Sequence, residues 1–132
     1  MTDGDAADAR GLRETLRPLT RAALHRTPAS AWALRDLQRR LDADVPLRVG
    51  ARDGRPAVAP PPTVAAALAR VARQALEHLA GPEAGQLGAC AADDCGMAFL
   101  DPGGRRRWCA PERCGVRSRV RAHRDRARAA QR

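Results

Sequence analysis

Four cysteines lie near the carboxyl end of the 132-residue chain and form two pairs with equal internal spacing. Cys90 and Cys95 form the first pair and Cys109 and Cys114 the second, so the pattern is C-x4-C-x13-C-x4-C. Thiolates on two short knuckles can occupy the corners of a tetrahedron, and structural zinc sites use this arrangement. The spacing therefore predicts that these four side chains hold one structural Zn²⁺ ion.

Disulfides and redox chemistry are the alternative uses of these cysteines. Two disulfides require an oxidising compartment, whereas the acidic segment Met1–Asp5 does not resemble a secretory signal. A redox dithiol normally has two residues between its cysteines rather than four. Residues 88–132 also contain few large apolar side chains, so a metal ion is needed to offset the entropy of ordering this segment. Zinc is favoured over both alternatives.

The basic residues are concentrated around and after the second cysteine pair. All 24 basic residues are arginines, and residues 105–132 contain 11 of them against Glu112 and Asp125, so this segment carries the whole net charge of +9. Residues 1–104 contain 13 arginines and 13 acidic residues. A neutral body with a cationic end is typical of a protein that binds a polyanion, although a solvated basic tail has the same composition.

The segment after Cys109 predicts a helix that begins at Pro111 and runs to about Ala130. On an α-helix, five of its arginines fall within one stripe about 80° wide. These are Arg113, Arg117, Arg121, Arg124 and Arg128. A neighbouring stripe is expected to pack inward and consists of Val116, Val120, His123 and Ala127.

A row of guanidinium groups on a helix suits phosphates and guanine edges in a major groove. We therefore expect the five stripe arginines to contact double-stranded DNA, together with Arg106 and Arg107. The alternative is a solvated helix face without a partner.

Two short strands are expected between the cysteine pairs. Met97–Leu100 and Arg106–Trp108 would form them, with a turn at Asp101–Gly104. The rings of Phe99 and Trp108 are expected to cover the apolar side of the metal site.

The residues upstream of the cysteines predict a small helical body with one β-hairpin near residues 45–59. Helices are expected at about 8–25, after Ser30 as N-cap with Leu34, Leu37 and Leu41 on one face, and at 64–79 after Thr63 as N-cap, because leucines and other apolar residues recur at three- and four-residue spacing. Pro18 is expected to kink or split the first helix, and Trp32 to pack between helices. Asp53-Gly54 is a strong signal for the hairpin turn.

No group of residues in the chain has the composition of a catalytic site. His25 and His78 have no neighbouring serine or cysteine, and four thiolates would leave zinc no open coordination position. We therefore expect a protein that is not an enzyme and has no small-molecule substrate.

No apolar run approaches the roughly 20 residues of a membrane span, and a cytoplasmic location is expected.

The C-terminal motifs resemble the CGNR zinc finger. They are Phe99–Asp101, Arg106–Cys109 and Cys114–Arg117, followed by the arginine-rich helix. The finger ends a family of bacterial proteins described as stress-induced transcription regulators. The upstream helices and hairpin are similar to the later half of that family's ABATE domain. The resemblance implies that the four cysteines are zinc ligands and that the chain is shortened at its N-terminus. The family's signature asparagine is Val116 here, so the hydrogen bond of that side chain is absent.

The sequence thus predicts an α+β fold that is mainly helical, with residues 1–87 as an ABATE-like body and 88–132 as a CGNR-like zinc finger. The finger would consist of a short β-hairpin and the arginine-rich helix. The expected function is that of a DNA-binding transcription regulator, with a homodimer formed through the body as a further expectation. The alternative is a zinc-stabilised module that binds RNA or a protein.

Overall fold

The chain contains four α-helices and two small antiparallel hairpins in a computed structural model that describes residues 2–131. It divides into two compact units, Met1–Gly81 and Pro82–Arg132. Residues 1 and 132 of the predicted domains lie outside the described residues. The mainly helical α+β class is confirmed, whereas the ABATE-like character of the first unit stays a prediction.

Three helices of the first unit surround a leucine and alanine core. They are α1 (Asp3–His25), α2 (Ala31–Leu41) and α3 (Val64–Ala80). Thr63 caps α3 as predicted, since its side chain accepts a hydrogen bond from the Ala66 N–H. The buried cluster consists of Leu12, Leu19, Ala33, Leu37 and Ala72. Leu12 and Leu19 are seven residues apart and Ala33 and Leu37 four apart, so each pair lies on one face of its helix, and burial of these faces holds the unit together.

Two expectations for these helices are wrong, that Pro18 splits the first helix and that Trp32 packs between helices. α1 continues through Pro18 as one helix, because Leu12 and Leu19 on either side of it are both buried in the core and this packing outweighs one lost backbone hydrogen bond. The kink at Pro18 stays a prediction. The Trp32 side chain is 52% exposed. Its neighbour Ala33 is fully buried and faces the core, and a step of one residue turns the side chain by about 100°.

The hairpin of the first unit consists of β1 (Val49–Arg52) and β2 (Arg55–Val58). Asp53 and Gly54 connect the strands, and both have positive φ angles, 53° and 72°. This pair of left-handed residues is the turn that matches the twist of a tight hairpin, and Gly54 adopts it without a steric penalty. The predicted hairpin and its turn are therefore confirmed.

A partly buried polar cluster joins α1 to α2. The Asp36 carboxylate accepts hydrogen bonds from the hydroxyl of Thr15, from Nε of Arg40 at 2.7 Å and from a terminal nitrogen of Arg39 at 2.6 Å. The hydrogen bond from Thr15 and then that from Arg40 hold the pKa of Asp36 below its usual value, because both favour the ionised carboxylate. This cluster contributes stability only while Asp36 is charged.

Replacement of Asp36 by asparagine tests that cluster. We expect Asp36→Asn to lower the free energy of unfolding at pH 7 by about 2 kcal/mol, since it removes charge-assisted hydrogen bonds at a partly buried site. Because the pKa of Asp36 is lower in the folded state, its ionisation stabilises the folded protein at pH values above the unfolded-state pKa of about 3.9. This stabilisation is lost as the pH falls through the folded-state pKa. The difference between wild type and variant should therefore shrink below pH 4.

The measurement is denaturant unfolding followed by circular dichroism between pH 7 and pH 2. Asp53→Asn is the matched control, because it removes an exposed carboxylate at a position where asparagine tolerates the positive φ angle. Equal stabilities of wild type and Asp36→Asn at pH 7 would contradict the role assigned to the cluster.

The second unit begins with a 3-10 turn, Pro82–Gln86, and contains the hairpin of β3 (Leu87–Ala89) and β4 (Ala98–Leu100). The predicted partner strand at 106–108 is wrong, because β4 pairs with β3 instead. A hydrogen bond from the Cys90 N–H to the Met97 carbonyl, 3.0 Å, extends this ladder into the first cysteine pair. The carbonyl of Arg107 accepts from the Ala91 N–H, so the 106–108 segment lies beside the knuckle without forming a strand.

The C-terminal helix differs from its prediction in two respects. It begins with a π-helical turn, Pro111–Gly115, and continues as α4 (Val116–Ala129). No residue of α4 is buried, and Val116 and Val120 are 43% and 44% exposed, so the predicted inward stripe is wrong. The physical reason is that cysteines and aromatic rings form the buried cluster of this unit, and α4 contributes no residue to it.

Among residues 2–131, none of the helices combines the length and the apolar character that a membrane span requires.

Candidate metal centre

The structure brings the four cysteine sulfurs together at one point. All four Sγ atoms lie within 4.8 Å of one another. The Sγ atoms of Cys95 and Cys109 are 3.7 Å apart, and those of Cys109 and Cys114 are 3.5 Å apart. Four ligands at the usual zinc–sulfur distance of about 2.3 Å in a tetrahedron would be separated by about 3.8 Å. The donor set therefore fits one structural zinc ion.

Each cysteine pair is held by a tight turn of the backbone. The first pair follows β3, and the Cys95 N–H donates to the Ala92 carbonyl at 2.9 Å. In the second pair the Cys114 N–H donates to the Ala110 carbonyl at 2.8 Å, inside the π-helical turn. These turns direct both sulfurs of a pair toward the same side, as two zinc knuckles require.

The side chains around the cysteines exclude water from one side of the site. Cys90 and Cys114 are buried, and the rings of Phe99 and Trp108 pack against the cluster as predicted. Gly115 allows this contact, because a Cβ atom there would lie 3.1 Å from Cδ1 of Trp108. Sequence reasoning missed Gly115, and its position directly after Cys114 was the available signal.

The four thiols differ in their acidity. The Cys109 N–H donates to Sγ of Cys90 at 3.5 Å, and this hydrogen bond is the main reason that the pKa of Cys90 falls to about 6. Burial, with the neighbouring thiols, raises the pKa of Cys109 to about 12. For Cys114 the hydrogen bond with Cys109 lowers the pKa, but burial and the other thiols outweigh it and the net direction is upward. Four thiolates this close need a cation between them.

Disulfides do not describe this arrangement. All four cysteines are free thiols in the structure, and the sulfur separations of 3.7 and 3.5 Å given above exceed the bonded distance of about 2.05 Å.

Two arginines of the predicted stripe are bound within the finger. The Asp94 carboxylate lies 3.0 Å from Nε of Arg117 and 3.0 Å from a terminal nitrogen of Arg121. Burial raises the pKa of Asp94, but the hydrogen bonds from Arg121 and Arg117 outweigh it and lower that pKa overall. Asp94 directly precedes Cys95, so these ion pairs connect α4 to the first knuckle.

The two arginines before Cys109 also contact the finger itself. The Arg106 guanidinium donates to the carbonyls of Trp108 and Cys109 and lies over the Phe99 ring, 4.7 Å from its centre. The Arg107 guanidinium lies 5.0 Å from the centre of the Trp108 ring. Both arginines are exposed. Arg106 supports the segment that carries Cys109 through its hydrogen bonds to two backbone carbonyls.

The remaining stripe arginines are exposed and have no ion pair within residues 2–131. They are Arg113, Arg124 and Arg128. Arg113 lies in the π-helical turn, outside the regular spacing of α4. An open groove of about 470 Å³ along α4 is lined by the other four arginines of the stripe, Arg117, Arg121, Arg124 and Arg128, with Val120 and Asp125. The structure thus brings four of the five predicted stripe residues together.

Comparison with known proteins identifies the type of module. Residues 86–127 match the family model of the CGNR zinc finger, which confirms the resemblance for the C-terminal part of the chain. The matched range contains all four cysteines. No curated protein and no solved structure matches the chain. The family match and the cysteine cluster together support a zinc-binding module.

Replacement of single cysteines tests the metal site. We expect one zinc ion per chain in native mass spectra, and loss of that ion in Cys90→Ser and Cys114→Ser, because a serine hydroxyl is a poor zinc ligand at neutral pH. Zinc affinity should also fall as the pH is lowered, since protons compete for Cys109 and Cys114, whose pKa values are raised.

Ser118→Ala is the matched control, because it changes a side chain of α4 that no cysteine contacts through a hydrogen bond within the described residues. It should keep its zinc. Full zinc retention in both cysteine variants would exclude the four-thiolate site.

Proposed function

We propose that the zinc-binding module presents α4 to double-stranded DNA and that the protein is a DNA-binding regulator of transcription. The observation that carries this proposal is a 14-residue helix that has no buried residue and carries four arginines along one groove. A helix that packs against no core can enter a groove without any rearrangement of the module. The part in transcription rests on the resemblance of the finger to those of bacterial transcription regulators.

The dimensions of α4 fit a major groove. A helix of 14 residues is about 21 Å long, and the major groove of B-DNA, about 12 Å wide, admits an α-helix. The module holds α4 at its N-terminal end, through the π-helical turn that contains Cys114 and through the ion pairs of Asp94. The remaining turns of α4 project and are free to contact DNA.

The arginines divide into two groups with different roles. Arg117 and Arg121 share the Asp94 carboxylate, so they orient α4 on the knuckle. Arg124 and Arg128 lie one and two turns further along the same groove without a carboxylate partner in the described part of the chain. Their planar groups are available for bidentate contacts to phosphate oxygens, which are the strongest arginine interactions at a nucleic-acid surface.

Duplex DNA is a better partner than an unpaired strand. Proteins that bind single strands stack bases on exposed aromatic rings. In the finger, Phe99 and Trp108 are half-buried and pack against the cysteine cluster, so they form no platform for bases.

The four thiolates would leave no coordination position for a substrate, and we propose that the zinc ion is structural and that the protein is not an enzyme.

The double variant Arg124→Ala/Arg128→Ala tests the proposed contacts. We expect weaker binding to a duplex and a plot of log affinity against log salt whose slope is shallower by about 2, because two phosphate contacts are lost. Alanine favours helix, so α4 should remain folded. Fluorescence anisotropy with a labelled duplex at several salt concentrations measures both effects.

The matched control is Arg52→Ala/Arg55→Ala, which removes the same charge from exposed positions of the β1–β2 hairpin. It should change the slope little. Identical isotherms for wild type and the α4 variant would remove α4 from the interface. A structured RNA or an acidic peptide that displaces the duplex at lower concentration than unlabelled duplex itself would favour the alternative module.

A further inference from the structure

Two arginines of the first unit line a pocket that contains no acidic residue. The pocket has a volume of about 250 Å³ and lies where the base of the β1–β2 hairpin meets α3. Its lining consists of Val45, Pro46, Arg48, Pro60, Pro62 and Arg70. From this lining we propose that the pocket binds a small organic carboxylate with a compact apolar body.

Arg70 supplies the anchoring charge. One terminal nitrogen of its guanidinium donates to the Ala59 carbonyl at 3.2 Å, which fixes the group against the end of the hairpin. Its Nε atom is buried and has no hydrogen-bond partner among the described residues. A buried donor of a charged group without a partner is unfavourable, and such groups are normally paired. A carboxylate that contacts this guanidinium would supply the counter-charge that the lining residues do not.

No carboxylate of the pocket lining is paired with the Arg70 guanidinium. Arg48 also lines the pocket, and neither Arg48 nor Arg70 forms an ion pair within residues 2–131. The carboxylate of Asp44, which directly precedes Val45, is paired through one oxygen with Arg73, one turn along α3 from Arg70. The other oxygen of Asp44 is buried without a hydrogen-bond partner among the described residues. Two like charges on one pocket repel each other unless an anion lies between them, so the lining favours a negatively charged ligand.

The apolar walls determine the rest of the ligand. Val45 and three prolines face the same pocket, and prolines have a fixed φ angle, so this wall is formed before any ligand binds. The volume is slightly below the range of about 300–1,000 Å³ that is usual for small-molecule sites, so only a small ligand would fit. A ligand of about the size of benzoate, with its ring on the prolines and its carboxylate on Arg70, fits both the volume and the chemistry.

The test compares benzoate with its neutral analogue benzamide by isothermal titration calorimetry on the full-length, zinc-loaded protein. We expect saturable one-site binding of benzoate and affinity at least about tenfold lower for benzamide, because a neutral amide gains no charge-assisted hydrogen bond. Arg70→Gln should lower the benzoate affinity by a similar factor and Arg48→Gln by a smaller one. Arg52→Gln, in the hairpin but outside the pocket lining, is the matched control and should bind as wild type.

Several results would overturn the proposal. These are no saturable binding of benzoate, equal affinities for benzoate and benzamide, preference for inorganic phosphate over benzoate, and unchanged benzoate binding by Arg70→Gln. Circular dichroism checks the fold of each variant. If Arg70→Gln does not fold, the Arg48→Gln variant and the benzamide comparison decide the outcome. The pocket belongs to the first unit, so its test is independent of DNA binding by α4.

Discussion

The second unit depends on the approach of four cysteine sulfurs to within 4.8 Å of one another. Its buried cluster contains cysteines, Ala92 and two aromatic rings, and little other apolar surface is available to offset the entropy of ordering about fifty residues. Burial is the main reason that the pKa of Cys109 is raised, and it also helps to raise that of Cys114, so the thiolate forms are unfavourable at this position without a cation. A divalent ion bound by the four sulfurs stabilises the thiolate forms and links both knuckles, so metal binding and folding of this unit are one process.

The same constraint explains how a helix without a buried residue acquires a defined position. α4 has no apolar face in a core, and it is fixed through Cys114 at its start and through Asp94, the neighbour of Cys95. Both attachments lead back to the cysteine cluster. The first unit has a different physical basis, because it is held by buried leucines and by the Asp36 cluster between α1 and α2. Loss of the metal should therefore affect the second unit and leave the first one folded.

Local signals in the sequence predicted the features that depend on local chemistry. Cysteine spacing indicated the metal site, Asp53-Gly54 the first hairpin, and leucine spacing the three helices of the first unit. The errors concern features that depend on tertiary partners. β4 pairs with β3, and the hydrogen bond from the Cys90 N–H to the Met97 carbonyl extends this pairing into the first knuckle. Trp32 is exposed because a different face of α2 packs against the core. Val116 and Val120 lie on one side of α4, but the sequence alone could not show that no other part of the second unit packs over them.

Hydrogen–deuterium exchange of the full-length protein, measured with zinc bound and after chelation, tests the link between the cysteine cluster and the order of the finger. We expect the amides of β3, β4, the π-helical turn and the first turns of α4 to be protected in the zinc form and to exchange freely after chelation, while α1, α2 and α3 keep their protection. Unchanged protection of β3, β4 and α4 after complete removal of the metal would contradict the central claim.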